Sequence, residues 1–193
     1  MLELLDFSNT IPDIRRVAII VGHTHYQHGA TTSTGVSEYD FCLAVARHIK
    51  ARFPADNGIR IFTKDHIGTE GVACQVAAWK ADLSIELHFN AFDGTVEGAE
   101  ILVLKEEQKD SSIVAAGLLH SWCEDSGKRN RGVKYVIGND RGAKNLHVIR
   151  ERGVKYVMLF EPFFGDNPKD VVTPKKLADS ICKFLLQTRS PLQ

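Results

Sequence analysis

Short β-branched apolar runs alternate along this chain with longer stretches of helical spacing. Residues 16–21 (RVAIIV) are short, apolar and β-branched and stop at Gly22, the pattern of a buried strand. A polar, glycine-containing loop follows over 22–35. Ser37 is a good N-cap, and Phe41, Val45, Ala46 and Ile49 recur at helical spacing, predicting a helix over 37–53 that Pro54 and Gly58 close. Residues 59–63 predict a second strand and 71–80 a helix. The alternating LSIELHF of 83–89 predicts a third strand, and 99–104 a strongly apolar fourth. Residues 112–124 read as a helix. The polar segment 125–145, rich in glycine and basic residues, reads as a long loop. Residues 146–149 and 155–160 predict two further strands, and 174–187 a closing helix. The hexapeptide RGVKYV occurs at 131–136 and again at 152–157, but the flanks do not match and no structural repeat is implied.

Strands separated by helices predict an α/β fold: a three-layer α/β/α sandwich around a mostly parallel twisted sheet. The 193 residues fit one domain, here 1–193 with its core at about 16–188. Ligands of such sheets bind outside the carboxyl ends of the strands, so the segments after strands are where chemistry is expected.

Charge then excludes some partners. Lys plus Arg and Asp plus Glu both number 24, so nothing in the balance favours nucleic acid or an anionic membrane. No apolar run reaches the roughly 18 residues of a membrane span. The opening MLELLDFSNTIPDIRR lacks the basic leader and apolar stretch of a secretory signal, so synthesis in the cytoplasm is expected. The LELLDF segment could pack on the sheet or on another protomer, and the oligomeric state is open. Cys42, Cys74, Cys123 and Cys182 are widely spaced in helix-like apolar contexts and read as buried free thiols.

Four polar residues stand where the sheet argument places a site. His23 follows the first strand, His88 ends the third, and Glu161 ends the last, inside VMLFEPFF, where a carboxylate is costly to bury unless it is paired or bound to metal. Glu38 opens the first long helix, a position that the helix dipole favours for an acid. Taken singly, each has a plain structural reading. Together, two histidines and a carboxylate form a common catalytic zinc set with one position open for water, whose pKa the metal lowers to about 7. A separate carboxylate can then take the proton. His25 and His28 share the loop with His23 and could serve as alternative ligands, but read as solvated loop residues. His48, His66, His120 and His147 carry no motif.

Gly22-His23 after an apolar strand, Gly35-x-x-Glu38 opening a helix, His88-Phe89-Asn90-Ala91 ending a strand and Phe160-Glu161 with a following Phe resemble, in content and order, the zinc-dependent N-acetylmuramoyl-L-alanine amidases of autolysins and phage endolysins (amidase type 3). The Asn130-Arg131-Gly132-Val133 stretch also matches, and the resemblance spans about residues 17–183. It implies one Zn2+ per chain held by His23, Glu38 and His88, with Glu161 as catalytic acid/base. It implies cleavage of the amide between the lactyl group of N-acetylmuramic acid and L-alanine in peptidoglycan. The rival readings are a zinc peptidase or carboxypeptidase on another amide, or a cell-wall-binding module that holds metal without turnover.

Two departures stand out. Ile20-Val21 precede Gly22-His23 where the family often has an acidic and a small residue. Glu86 stands two before His88, where family members often have Ser. Positions two apart in a strand face the same side, so Glu86 is expected beside His88, orienting a ligand, touching substrate, or simply solvated at a strand end. Asn90 could hold a ligand or substrate, or serve as a turn residue. Arg131, with Lys128, Arg129, Lys134, Arg141 and Lys144, could cradle the stem peptide or glycan, or form a solvated loop. No separate wall-binding domain is expected in this chain. A cytoplasmic start with a wall substrate suggests release by a membrane-permeabilising partner or by lysis.

Overall fold

The computed structural model describes residues 14–53, 57–107, 110–138, 140 and 142–188; the LELLDF segment, Pro54 and Arg141 lie outside them. Chain order is β1 (Val17–Val21), α1 (Glu38–Arg52), β2 (Ile59–Phe62), α2 (Gly68–Ala78), β3 (Leu83–Leu87), β4 (Ala99–Leu104), a 3-10 turn (Lys105–Glu107), α3 (Asp110–Ser126), β5 (Asn130–Val136), α4 (Ala143–Glu151), β6 (Tyr156–Glu161) and α5 (Pro174–Thr188). Among the described residues six strands form one sheet in the order β2-β1-β3-β6-β4-β5. β2, β1, β3 and β6 run parallel; β4 pairs antiparallel with β6, and β5 runs parallel with β4.

Every residue of β1, β3, β4 and β6 is buried, because helices cover both faces. Alternation divides the core. Val17, Ile19, Val21, Leu83, Ile85, Leu87, Tyr156, Met158 and Phe160 join residues of α1, α3 and α5 in one cluster. Ala18, Ile20, Val157, Leu159, Leu102 and Leu104 join α2 and α4 in the other. The expected three-layer sandwich is the observed one. In α1, Ser37 caps as its spacing predicts, its hydroxyl accepting from the Asp40 N–H at 3.1 Å.

Two expectations fail. The segment read as a long loop contains β5, which lies at the sheet edge and therefore needs few apolar residues. The strand expected at 146–149 lies within α4, where Ala143, Leu146 and Ile149 are buried at three-residue spacing, a helical period. The cysteines are free as expected and Cys42 and Cys182 are buried, but Cys74 is exposed on α2 and Cys123 is half-buried. The two RGVKYV copies also differ. The first is strand throughout, whereas the second runs from the end of α4 through a turn into β6.

Because β4 and β5 run opposite to the other four strands, the sheet has one edge of mixed polarity. The carboxyl ends of β2, β1, β3 and β6 meet the amino ends of β4 and β5 there.

Candidate active site

On that edge, β1 gives way to Gly22, whose N–H donates to the Leu87 carbonyl at 2.9 Å, and the chain turns at His23 with φ 62°. The turn lifts the His23 ring over the sheet edge, edge-to-face with His88 at 4.9 Å between ring centroids. Glu38, the first residue of α1, extends its carboxylate to both rings. Its Oε2 lies 3.0 Å from His23 Nε2 and its Oε1 2.8 Å from His88 Nδ1. The Ala30 N–H donates to Oε2 and the Phe89 N–H to Oε1, each at 3.1 Å, so both oxygens are fixed by backbone as well.

Burial pushes the Glu38 pKa up, but the hydrogen bonds with His23 and His88 outweigh it and bring the value down to about 2. His88 shows the reciprocal effect. Burial pushes its pKa down, but hydrogen bonds to Glu38 and Glu86 and the nearby charge of Glu161 raise it to about 10.

The donor atoms of His23, Glu38 and His88 lie within 4.8 Å of one another. Two imidazole nitrogens and a carboxylate oxygen suit Zn2+. The surroundings are cut to the cluster: a Cβ on Gly29 would lie 2.5 Å from His23 Cδ2 and 2.6 Å from Glu38 Oε2. The residues present therefore fit the metal that the resemblance implies.

Glu161 ends β6, the strand beside β3, and is buried. Directly opposite it across the antiparallel pair stands Glu100, also buried. Glu100 Oε1 accepts from Asn90 Nδ2 at 3.1 Å, and Oε2 accepts from Arg131 Nε at 3.0 Å. Arg131 reaches inward because β5 carries one extra residue there. Ala99 pairs with Asn130 but Ile101 with Val133, and Gly132 takes φ 87°. The Arg131 guanidinium also lies over Phe164, 5.0 Å from the ring centroid. Asn90 is fixed by backbone pairing with the segment after β6, donating to the Phe163 carbonyl at 2.9 Å and accepting from the Gly165 N–H at 2.7 Å.

Glu86 faces the same side as His88 and is not solvated. It is 1 % exposed, and its Oε1 meets His88 Nε2 at 2.9 Å, Lys64 Nζ at 2.6 Å and Asn145 Nδ2 at 2.9 Å. The basic segment divides. Lys128 pairs with Asp170 at 2.6 Å and Arg131 with Glu100, while Arg129, Lys134 and Lys144 are exposed. His25, His28, His48, His66 and His120 are exposed and His147 half-buried, all outside the metal-type cluster.

Sequence reading missed Lys64, Glu100 and Asn145. Glu100 could have been found, since a carboxylate within AEILVL is the same signal that singles out Glu161. Lys64 and Asn145 meet Glu86 only through the fold.

A family model described as N-acetylmuramoyl-L-alanine amidase matches residues 17–183. Among solved structures, an N-acetylmuramoyl-L-alanine amidase from Clostridium difficile 630 has TM-score 0.73 at 20% identity, over 91% of this chain and 96% of that one. The catalytic domain of CwlV, an N-acetylmuramoyl-L-alanine amidase from Bacillus (Paenibacillus) polymyxa, has TM-score 0.72 at 20% identity, over 90% and 97%. The catalytic domain of the CD27L endolysin targeting Clostridia difficile has TM-score 0.65 at 22% identity, over 91% and 99%. A search of curated proteins finds no match. The structural likenesses establish the fold, and the family match covers nearly every element that builds the sheet edge; the chain belongs to the N-acetylmuramoyl-L-alanine amidase family, the enzymes that hydrolyse that amide in peptidoglycan.

Proposed function

We propose that this chain cleaves the muramoyl–L-alanine amide with one Zn2+ held by His23, Glu38 and His88, and with Glu161 as the proton-transferring carboxylate. The observation that carries the reading is the convergence of two histidines and one carboxylate on the sheet edge, just past β1, just past β3 and at the start of α1, with β3 lying beside β6, the strand that ends in Glu161. When bound there, the metal supplies a Lewis acid for the scissile carbonyl and for water.

The chain's own residues do the rest. Glu38 is held ionised by its two histidine partners, which bring its pKa down to about 2, and so offers the metal a charged oxygen. Glu161, buried at the end of β6, would take a proton from the attacking water and deliver it to the leaving alanine amine. Its proximity to the metal-type cluster is supported by its charge acting on His88. Asn90 and Arg131 are drawn together by Glu100 at the same edge. In this reading they orient the muramoyl or peptide part, with Arg131, about a third exposed, turned towards a substrate carboxylate. The family match favours this amide over another peptide bond, and the buried acid Glu161 favours turnover over a binding module.

Elemental analysis of purified wild type and His88→Ala, with turbidity loss on purified peptidoglycan recorded on the same samples, tests the reading. One zinc per wild-type chain, lost in the variant together with lysis, is the expected result. Wild type without zinc, or a variant that keeps both zinc and lysis, would overturn it.

A further inference from the structure

Glu86 occupies a position whose carboxylate the proton-transfer chemistry above does not use. It projects from β3 on the same side as His88, and three donors from three separate elements converge on its Oε1: His88 Nε2, Lys64 Nζ just past β2, and Asn145 Nδ2 on α4. The Asn145 amide is itself oriented, because Thr69 Oγ1 donates to its Oδ1 at 3.2 Å and leaves the NH2 aimed at Glu86. Lys64 is 8 % exposed and Glu86 1 %. A buried carboxylate costs several kcal/mol unless paired and hydrogen-bonded, and here both conditions hold.

This arrangement bears on which proton His88 carries. Its Nδ1 faces Glu38 and, beyond it, His23, while its Nε2 faces Glu86. A neutral imidazole offers one lone pair. Only the tautomer with the proton on Nε2, donated to Glu86, leaves the Nδ1 lone pair pointing into the cluster. A hydroxyl at position 86 could either donate or accept and would not discriminate. A carboxylate beside an ammonium can only accept, so it keeps the proton on Nε2 when a metal takes the place of the proton on the Nδ1 side, where Glu38 also accepts. Glu86 is also out of reach of substrate, being buried under its three partners.

We propose that Glu86, held by Lys64 and Asn145, is a positioning residue that fixes His88 in the metal-ligating tautomer and sets the metal affinity of the site. The proposal rests on the reading of His23, Glu38 and His88 as metal ligands. Removing such an outer partner typically costs about 10–100-fold in metal affinity.

The test is zinc affinity, measured by competition with a chromogenic chelator at fixed pH, on wild type, Glu86→Gln, Asn145→Ala and His88→Ala, with urea unfolding of each metal-free protein alongside. Glu86→Gln keeps the shape but can turn its amide to donate to Nε2, favouring the wrong tautomer; its zinc affinity is expected to fall about 10–100-fold while the metal-free protein stays folded. Asn145→Ala, which removes one donor from a half-buried helix position, is expected to lower zinc affinity less than Glu86→Gln but clearly below wild type, and it decides the matter if Glu86→Gln does not fold. Affinities within about twofold of wild type in the folded variants, with only urea stability lowered, would show a structural role alone and overturn the proposal. Failure of the underlying metal reading looks different. There wild type itself binds no zinc, or His88→Ala binds it as wild type does.

Discussion

Gly22 is the perturbation with the most legible cost. Its N–H bonds the Leu87 carbonyl, and a Cβ at position 22 would lie 2.2 Å from that oxygen and 2.9 Å from both Cε1 and Nε2 of His88. Non-bonded carbon contacts settle near about 3.5 Å, so Gly22→Ala demands more than about 1 Å of movement between β1 and β3. The obstacle at 2.2 Å is backbone and cannot swing aside, and the histidine ring is held at both nitrogens. Overpacking of this kind costs about 1–3 kcal/mol. For a chain of this length that lowers Tm by about 2–12 °C. The functional loss should be larger than the stability loss, because the ring displaced is His88, and a misplacement of about 1 Å in a reacting geometry costs on the order of 100-fold in rate. Thermal melting of the metal-free protein and initial rates of peptidoglycan clearing at saturating zinc separate the two effects. A Gly22→Ala protein that melts and lyses like wild type would refute the requirement for glycine at this close approach to Leu87 and His88.

Glu161→Gln should keep its zinc and lose about 100- to 10,000-fold in rate, since it retains volume but cannot accept the proton; substantial lysis by a zinc-replete variant would remove Glu161 from its role. In the metal-free protein, the depressed Glu38 pKa (4.5 to about 2) contributes stability that is present above pH 4.5 and lost as pH falls towards 2. The raised His88 pKa (6.5 to about 10) contributes stability present below pH 6.5 and lost as pH rises towards 10. Urea midpoints should therefore show the gap between wild type and Glu38→Gln closing in the acid window, and that between wild type and His88→Asn closing in the alkaline one; gaps constant across pH would contradict the pairing. Trp122→Phe breaks the buried bond from its Nε1 to the Pro162 carbonyl (2.8 Å), just past Glu161, and should cost about 1–3 kcal/mol in urea unfolding, with a change below about 0.5 kcal/mol counting against it.

What the chain discloses before folding depends on how local the cause is. β1, α1 and β4 carry their burial in their own periodicity, and His23, Glu38, His88 and Glu161 stand at strand ends and a helix start that the same periodicity marks. β5 escaped because an edge strand is half solvated and its bulge at Arg131-Gly132 breaks alternation. α4 escaped because four residues, LHVI, look β-branched until Ala143 is added and the three-residue spacing appears. Lys64, Glu100 and Asn145 derive their meaning from partners in distant segments. Lys64 and Glu86 lie 22 residues apart and Asn145 and Glu86 59, distances that no local pattern spans.

The φ of 62° at His23 sets fold and chemistry at odds. In that region a side chain costs about 1–2 kcal/mol that glycine does not. Selection for thermal endurance alone would drift position 23 towards glycine or asparagine, and, on the proposed role of His23, yield a firmer protein without its zinc site. Breeding this enzyme for heat resistance therefore requires a lysis screen at every round, or its first gains will come from discarding His23.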